Sequence, residues 1–297
     1  MKLNRDNFQD VLTPIHIKII NDTYGKLPKQ YTQYAEEFTM RKKEETYPHM
    51  GAFGLWTTNT EGNTINEDEI HEGDTATFTA VRRDKGYSVT WELTKDDLYG
   101  VFNGRGVDGD AQGLARGLHA TLETDMANVL NNGFTNTGYD GVALFSNSHG
   151  LADSASSGDN LTTGALTPAN LKTGMTLMRA TPNEAGIRIQ ARARQLLAGP
   201  DNEYTANEIT RSTNQAFEQS NTKNVIEGLR PIILDYITGD SWFLRDPSIS
   251  NLKFGWREKP WYDSQKIQKT VDFFVFGFTR YDVGYCDWRG IVGSSGA

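Results

Sequence analysis

The sequence predicts an α+β chain, and three observations carry that prediction. A strand-like region with an acidic middle spans residues 53–97, one strongly periodic helix follows at 110–131, and the stretch 229–278 returns to strands. The order of hairpin, long helix, α/β middle and closing strands places an inserted domain near residues 163–247.

The first fifty residues carry two short helix-like pieces, at 5–12 and 14–24, and then a polar stretch rich in Tyr, Lys and Glu. No core pattern is sustained there, so the segment either folds back on its own domain or forms an arm ordered against a neighbour. Residues 59–74 are polar, carry Glu61, Glu67, Asp68, Glu69, Glu72 and Asp74, and contain no Lys or Arg. The flanks 75–82 and 87–93 alternate apolar and polar side chains around Arg83-Asp84-Lys85-Gly86, a pattern that reads as a hairpin. The expectation is a long two-stranded excursion with an acidic tip.

Residues 110–131 are the clearest helix, because Leu114, Leu118, Leu122, Met126 and Leu130 form an i, i+4 ladder, with Asp110 suited to cap the start and Asn132-Gly133 to stop the end. A strand is expected at 141–145 and a Gly/Ser/Asn-rich loop at 146–164. Thr167-Pro168 opens a helix through Arg179, with Pro at the first helical position, where its missing N–H does no harm. A strand at 187–198, a helix at 202–214 and a polar loop at 214–224 follow. The closing strands are expected at 229–237, 242–244, 252–256 and 271–278; the run Phe273-Phe274-Val275-Phe276 is an aggregation hazard if exposed and so belongs in a central strand.

Composition narrows the function. At 297 residues the chain can bury a sizeable core, and its single cysteine, Cys286, excludes a disulfide framework or a Cys-rich zinc site and fits a reducing compartment. No apolar run approaches the ~20 residues of a membrane span, which predicts a soluble protein without membrane partners. Thirty Lys+Arg against 38 Asp+Glu give a net charge of −8, the wrong sign for gripping a polyanion over a broad surface.

Motifs for catalysis, cofactors and metals fail on context. Gly104-x-Gly106-x-x-Gly109 precedes a helix but lacks the buried parallel strand of a dinucleotide fingerprint, and Asp108 and Asp110 put negative charge where phosphates would sit. Read as a calcium loop, Asp108, Asp110, Gln112 and Gly113 fit early positions, but His119 stands where a bidentate Glu is required. The five histidines show no metal-ligand spacing, and Ser146-Asn147-Ser148-His149 lacks a nucleophile elbow and reads as a turn cap. The carboxylate pairs Asp96-Asp97 and Glu67-Asp68-Glu69 sit in solvated, turn-like stretches, so no catalytic site, cofactor or metal is expected.

From about Tyr47 onward the order of several short motifs resembles tailed-phage major capsid proteins of the HK97 fold, the Mu-like major head subunits in particular. Tyr47-Pro48-His49-Met50-Gly51 with Trp56 resembles the approach to the family's extended E-loop, and Trp91-Glu92-Leu93 with Asp96-Asp97-Leu98-Tyr99-Gly100 resembles its return. Tyr139-Asp140-Gly141-Val142-Ala143-Leu144-Phe145, followed by His149, is the most specific match. Leu166-Thr167-Pro168-Ala169-Asn170-Leu171, Gln195-Leu196-Leu197-Ala198-Gly199-Pro200, Asp240-Ser241-Trp242-Phe243-Leu244 and the segment from Arg280 to Arg289 are similar to later parts of the family.

The resemblance implies an N-terminal arm at 1–50, an E-loop at 51–94, a peripheral domain at 95–162 with a spine helix at 110–131, an axial domain at 163–247 and returning peripheral strands at 248–297. It implies a structural protein that assembles with itself as pentamers and hexamers into an icosahedral virion shell around double-stranded DNA, built in the bacterial host cytoplasm with scaffolding, portal and decoration proteins. An acidic hairpin and a polar arm have little to pack on within one subunit and would bury area in trans. Some relatives bond a Lys in the E-loop to an Asn near the last long strand; here 59–74 has no Lys and Lys269-Thr270-Val271-Asp272 no Asn, so no covalent mesh is expected. The shell is instead expected to be held by the acidic residues meeting a neighbour's basic side chains, with Arg188, Arg192, Lys253 and Arg257 as acceptors, or by separate cement proteins. The short N-terminal segment points to a separate scaffolding protein. Two alternatives stand beside this reading: an encapsulin-like nanocompartment shell and, from another class, a carbohydrate-active hydrolase.

Overall fold

The computed structural model describes residues 9–90, 92, 96, 110–214, 223, 224, 226, 228–267 and 272–297. The glycine fingerprint at 104–109, most of the expected E-loop return at 91–100 and residues 269–271 lie outside the described residues.

Of the two pieces expected before residue 25, residues 5–8 lie outside the described residues, and the rest join in one helix, α1 (Gln9–Lys26). Pro14 is the sixth residue of this helix, past the first turn, and the helix runs on through it despite the lost N–H. Ile20 is fully buried in a cluster with Ala111, Leu114 and Ala115. A 3₁₀ turn (Tyr31–Gln33) and strand β1 (Glu36–Thr39) follow, and Tyr31, Tyr34 and Met40 are buried. The described part of the first fifty residues therefore folds back onto its own chain.

Strands β2 (Glu44–Met50) and β3 (Glu72–Thr79) pair antiparallel and carry the excursion. The quartet Arg83-Asp84-Lys85-Gly86 is not a turn. Strand β4 (Val81–Val89) runs through it and pairs with β12 (Asp272–Tyr285), so the chain changes sheet at Ala80. Its turn-like composition is overridden by the ladder: Gly86 lies opposite Phe276, where a Cβ would come within 2.7 Å of the Phe274 ring and 2.8 Å of the Val275 carbonyl.

Helix α2 (Asp110–Asn131) has the expected bounds; Leu114, Leu122, Met126 and Leu130 are buried and Leu118 half-buried. The strand expected at 141–145 is absent. A lone bridge joins Thr137 to Ala143, because Gly141 turns the chain at φ +79° and Leu144 gives its carbonyl to the Asn160 side chain at 2.8 Å. The expected loop at 146–164 instead holds a small hairpin, β5 (His149–Leu151) with β6 (Ser154–Gly158), and strand β7 (Leu161–Thr162).

Helix α3 (Pro168–Ala180) is capped by Thr167 Oγ1, which accepts from Asn170 N at 3.2 Å. Of the strand expected at 187–198 only β8 (Gln195–Ala198) enters a sheet; before it the chain holds Gln190 at φ 59°, which breaks a ladder. Helix α4 (Glu203–Arg211) and strands β9 (Arg230–Ile233), β10 (Trp242–Arg245), β11 (Leu252–Ile267), β12 and β13 (Ile291–Ser294) complete the chain. The sequence reading ended β11 and β12 too early, and it missed β13.

Two sheets organise these elements. The first has order β1-β11-β12-β4, which sets β12 and its phenylalanines inside the sheet. One face meets α2: Val275 clusters with Leu114, and Tyr281 Oη donates to Asp125 at 2.6 Å. The second has order β7-β13-β10-β8-β9, drawing β7 and β13 from outside residues 163–247. Strand β10 splits two cores by alternation, since Trp242 and Leu244 join Leu171, Met178 and Ile209 under α3 and α4, while Phe243 joins Phe145, Leu130 and Trp288.

Candidate intersubunit surfaces

The β2–β3 ladder runs from the Glu44–Thr79 pair to Met50–Glu72, and residues 51–71 then project with no further strand. Polar rungs tie the two legs: Gly54 N donates to Asp68 at 2.9 Å, and Asn59 Nδ2 donates to the Thr64 carbonyl at 2.6 Å. Glu61 lies at the terminal turn, Glu67, Asp68 and Glu69 on the returning leg, and Glu72 and Asp74 on β3, all six exposed. The acidic residues are thus spread along one leg instead of gathered at a point.

Sequence reasoning missed a second component of this loop. Phe53, Leu55, Trp56 and Ile65 are exposed, Trp56 by 99% and Ile65 by 87%, and together they line a shallow hollow with Asn59 and Asn66. A large apolar side chain left in water forgoes roughly 1.5–3 kcal/mol of burial free energy. The signal was present as bulky apolar residues in a polar stretch without periodicity.

The base of the excursion is seated on the body through His49. Its ring stacks on Tyr139 with centroids 4.6 Å apart and planes 2° from parallel, and its Nε2–H donates to the Cys286 carbonyl.

The four basic acceptors divide into two pairs. Lys253 is engaged within its own chain, with Nζ 3.2 Å from Glu36 and close over the Phe38 and Tyr47 rings, and Arg257 donates to the Met40 carbonyl at 3.2 Å. Arg188 and Arg192 are exposed on the extended chain before β8, and Arg194 and Arg230, which the sequence reading did not single out, are exposed beside them.

Ser146 and His149 form no nucleophilic pair. Ser146 Oγ accepts from Ser148 N at 3.2 Å, the geometry of a local turn cap. His149 is fully buried and stacked on Trp288 at 4.3 Å, with Nδ1 2.5 Å from Asp140 and Nε2 3.1 Å from Asn160 Oδ1. Asn160 also donates to the carbonyls of Leu144 and Trp288, so this polar cluster stitches the irregular 137–160 region to the last strands. Burial pushes the thiol of Cys286 up to about 11, which makes it inert. Among the described residues no three His, Cys, Asp or Glu side chains are grouped to hold a metal, and no helix is long and apolar enough to cross a membrane.

A long helix on a strand pair that spans the body, a second sheet covered by two short helices, and a projecting two-stranded excursion together define an HK97-like capsid subunit. Solved structures share this arrangement. The chain superposes on the mature capsid of bacteriophage PhiM1 with a TM-score of 0.58 at 10% identity, covering 88% of this chain and 84% of that one. A chain of Mycobacterium phage Adephagia gives 0.57 at 11% identity, with 91% and 90% covered, and the procapsid of bacteriophage JBD30 gives 0.51 at 15%, with 98% and 76% covered. No curated protein matches significantly. The family model for phage capsid protein matches residues 74–294, and the chain belongs to that family. It is a major capsid shell protein, a structural protein and not an enzyme. The nanocompartment and hydrolase alternatives find no support.

Proposed function

We propose that this capsid protein assembles as pentamers and hexamers into an icosahedral shell around double-stranded DNA, as a head subunit of the Mu-like branch. The carrying observation is the excursion, whose residues 51–71 expose Trp56, Leu55, Phe53 and Ile65 beside a row of carboxylates. An ordered loop with that composition gains from burial against another copy, its apolar residues as anchors and its acids as a rim. Glu61, Glu67, Asp68, Glu69, Glu72 and Asp74 meet Arg188 and Arg192 of a neighbouring subunit; Lys253 and Arg257 take part only by exchanging their own-chain partners.

In this reading residues 1–50 are the arm and 51–94 the E-loop. The peripheral domain comprises 95–162 and 248–297, with Leu114, Leu118, Leu122, Met126 and Leu130 as the buried stripe of its spine helix, and 163–247 form the axial domain. The shell is held without covalent cross-links and is built in the bacterial host cytoplasm with scaffolding, portal and decoration proteins. Negative-stain electron microscopy and light scattering, on the protein alone and co-expressed with a scaffold, test this. Closed shells, or five- and sixfold rings that convert to shells, are expected; a persistent monomer in both preparations overturns the reading, and covalent ladders on denaturing gels overturn the non-covalent part.

A further inference from the structure

Among the described residues, the hydrogen bonds made by residues 53–70 close within the loop: Gly54 to Asp68, Asn59 to Thr64, Thr60 to Asn59, Asn63 to Thr60, and Asn66 to Thr57. Beyond β2 and β3, the polar tie between the excursion and the body is made, among the described residues, at its neck by one side chain. Asp153, at the turn between β5 and β6, takes Ala52 N from the outgoing leg on Oδ2 at 3.0 Å. Its Oδ1 takes the returning leg, accepting from His71 Nδ1 at 2.7 Å and from His71 N at 3.3 Å. The two legs are also closed on each other, Gly51 N donating to the His71 carbonyl at 2.8 Å.

The chain is built around this contact. A Cβ on Gly51 would run into the Asp153 carboxylate and lie 2.7 Å from the His71 carbonyl, so only glycine leaves room. Behind the carboxylate, Asp153 N donates to the Glu184 carbonyl at 3.1 Å and Ala152 N to Glu184 Oε2 at 2.8 Å. Glu184 is ion-paired at 2.9 Å with Arg289, which is buried over the Trp288 ring and donates to the Pro182 carbonyl. The neck is thereby anchored, through three side chains, to the buried cluster around Trp288 and His149.

We propose that Asp153 is a latch that fixes the direction in which the excursion leaves the body, and that its release lets residues 51–71 pivot as a unit while the β2–β3 ladder stays in place. The His71 hydrogen bond holds the Asp153 carboxyl below its ordinary value, so the latch is charged and closed at neutral pH. This inference concerns the chain by itself and stands whichever surface the excursion meets.

Amide hydrogen exchange on the full-length protein, compared with Asp153→Ala, tests it. The amides of Ala52 and His71 are expected to exchange roughly tenfold faster in the variant, the scale of one lost charge-assisted hydrogen bond, while the β2–β3 pairs around Thr46 and Thr77 keep their protection. Unchanged exchange at Ala52 and His71 overturns the proposal. If Asp153→Ala loses protection throughout, Gly51→Ala decides: its methyl collides with the carboxylate from the neck side, and wild-type exchange at the two amides there rejects the latch.

Discussion

Trp242 and Trp56 show what separates the body of this subunit from its excursion. Trp242 is fully buried in the middle strand of the second sheet, its Nε1–H donating to the Gly164 carbonyl at 3.1 Å, with Leu244 and α3 around it. Trp56 is 99% exposed on a loop whose outer part is braced by bonds between its own legs. The same residue type completes a core in one place and presents an unburied apolar face in the other. The body buries most of its large apolar side chains within one chain; under the proposed reading, the excursion needs a second.

The sharpest way to break the comparison is Trp242→Ala, which empties the centre of a core and should cost about 3–5 kcal/mol in a denaturant or thermal unfolding titration. A loss under about 1 kcal/mol would show that the sheet is not packed as described. Next is His149→Ala. It leaves the Asp140 carboxylate buried without its partner and should cost around 3 kcal/mol, with the tryptophan fluorescence of the unfolding transition reporting the lost stack on Trp288.

A smaller, pH-dependent effect is expected at Asp246. Burial alone would raise its carboxyl, but hydrogen bonds from Ser248 and from Arg192 N bring it below the ordinary aspartate value. A depressed folded-state pKa contributes stability that is present above the unfolded value, near 4, and is lost as pH falls through the folded one. Asp246→Asn should therefore be less stable than wild type at pH 7, with the gap closing below about pH 4; a gap that is constant with pH would remove the carboxylate from the account.

Smallest for folding is Trp56→Ala, expected within about 0.5 kcal/mol of wild type in unfolding of the dissociated subunit. The same change should sharply reduce shell yield by light scattering, because a fully exposed tryptophan at an interface centre is the kind of residue that carries binding energy. Normal shells from Trp56→Ala would leave the carboxylates as the grip. Assembly would then weaken steeply with added salt, and an apolar anchor would not.

Local pattern was enough where one periodicity dominates. The i, i+4 ladder from Leu114 to Leu130 gave α2 with its bounds, Thr167-Pro168 gave the start of α3, and Phe273 to Phe276 gave an interior strand. It failed where composition imitates another element. Arg83-Asp84-Lys85-Gly86 has turn residues but belongs to a strand, because β12 supplies partners 190 residues or so further along the chain, beyond the reach of any window. The candidate surface was half legible: its acids could be counted, whereas the exposure of Phe53, Leu55 and Trp56 could not be, since an apolar residue in a sequence gives no sign of whether anything covers it.

Taken by itself, the sequence determined the α+β class, the long helix and the resemblance to phage capsid subunits, because these rest on short-range periodicity and on short motifs in a fixed order. Only the tertiary structure decided that β4 continues past the polar quartet and that Lys253 is occupied by Glu36. It also decided that Asp153, Glu184 and Arg289, far apart in the chain, meet behind the neck of the excursion. Such pairings depend on which distant groups share a buried or half-buried space, and burial is a property of the folded chain as a whole.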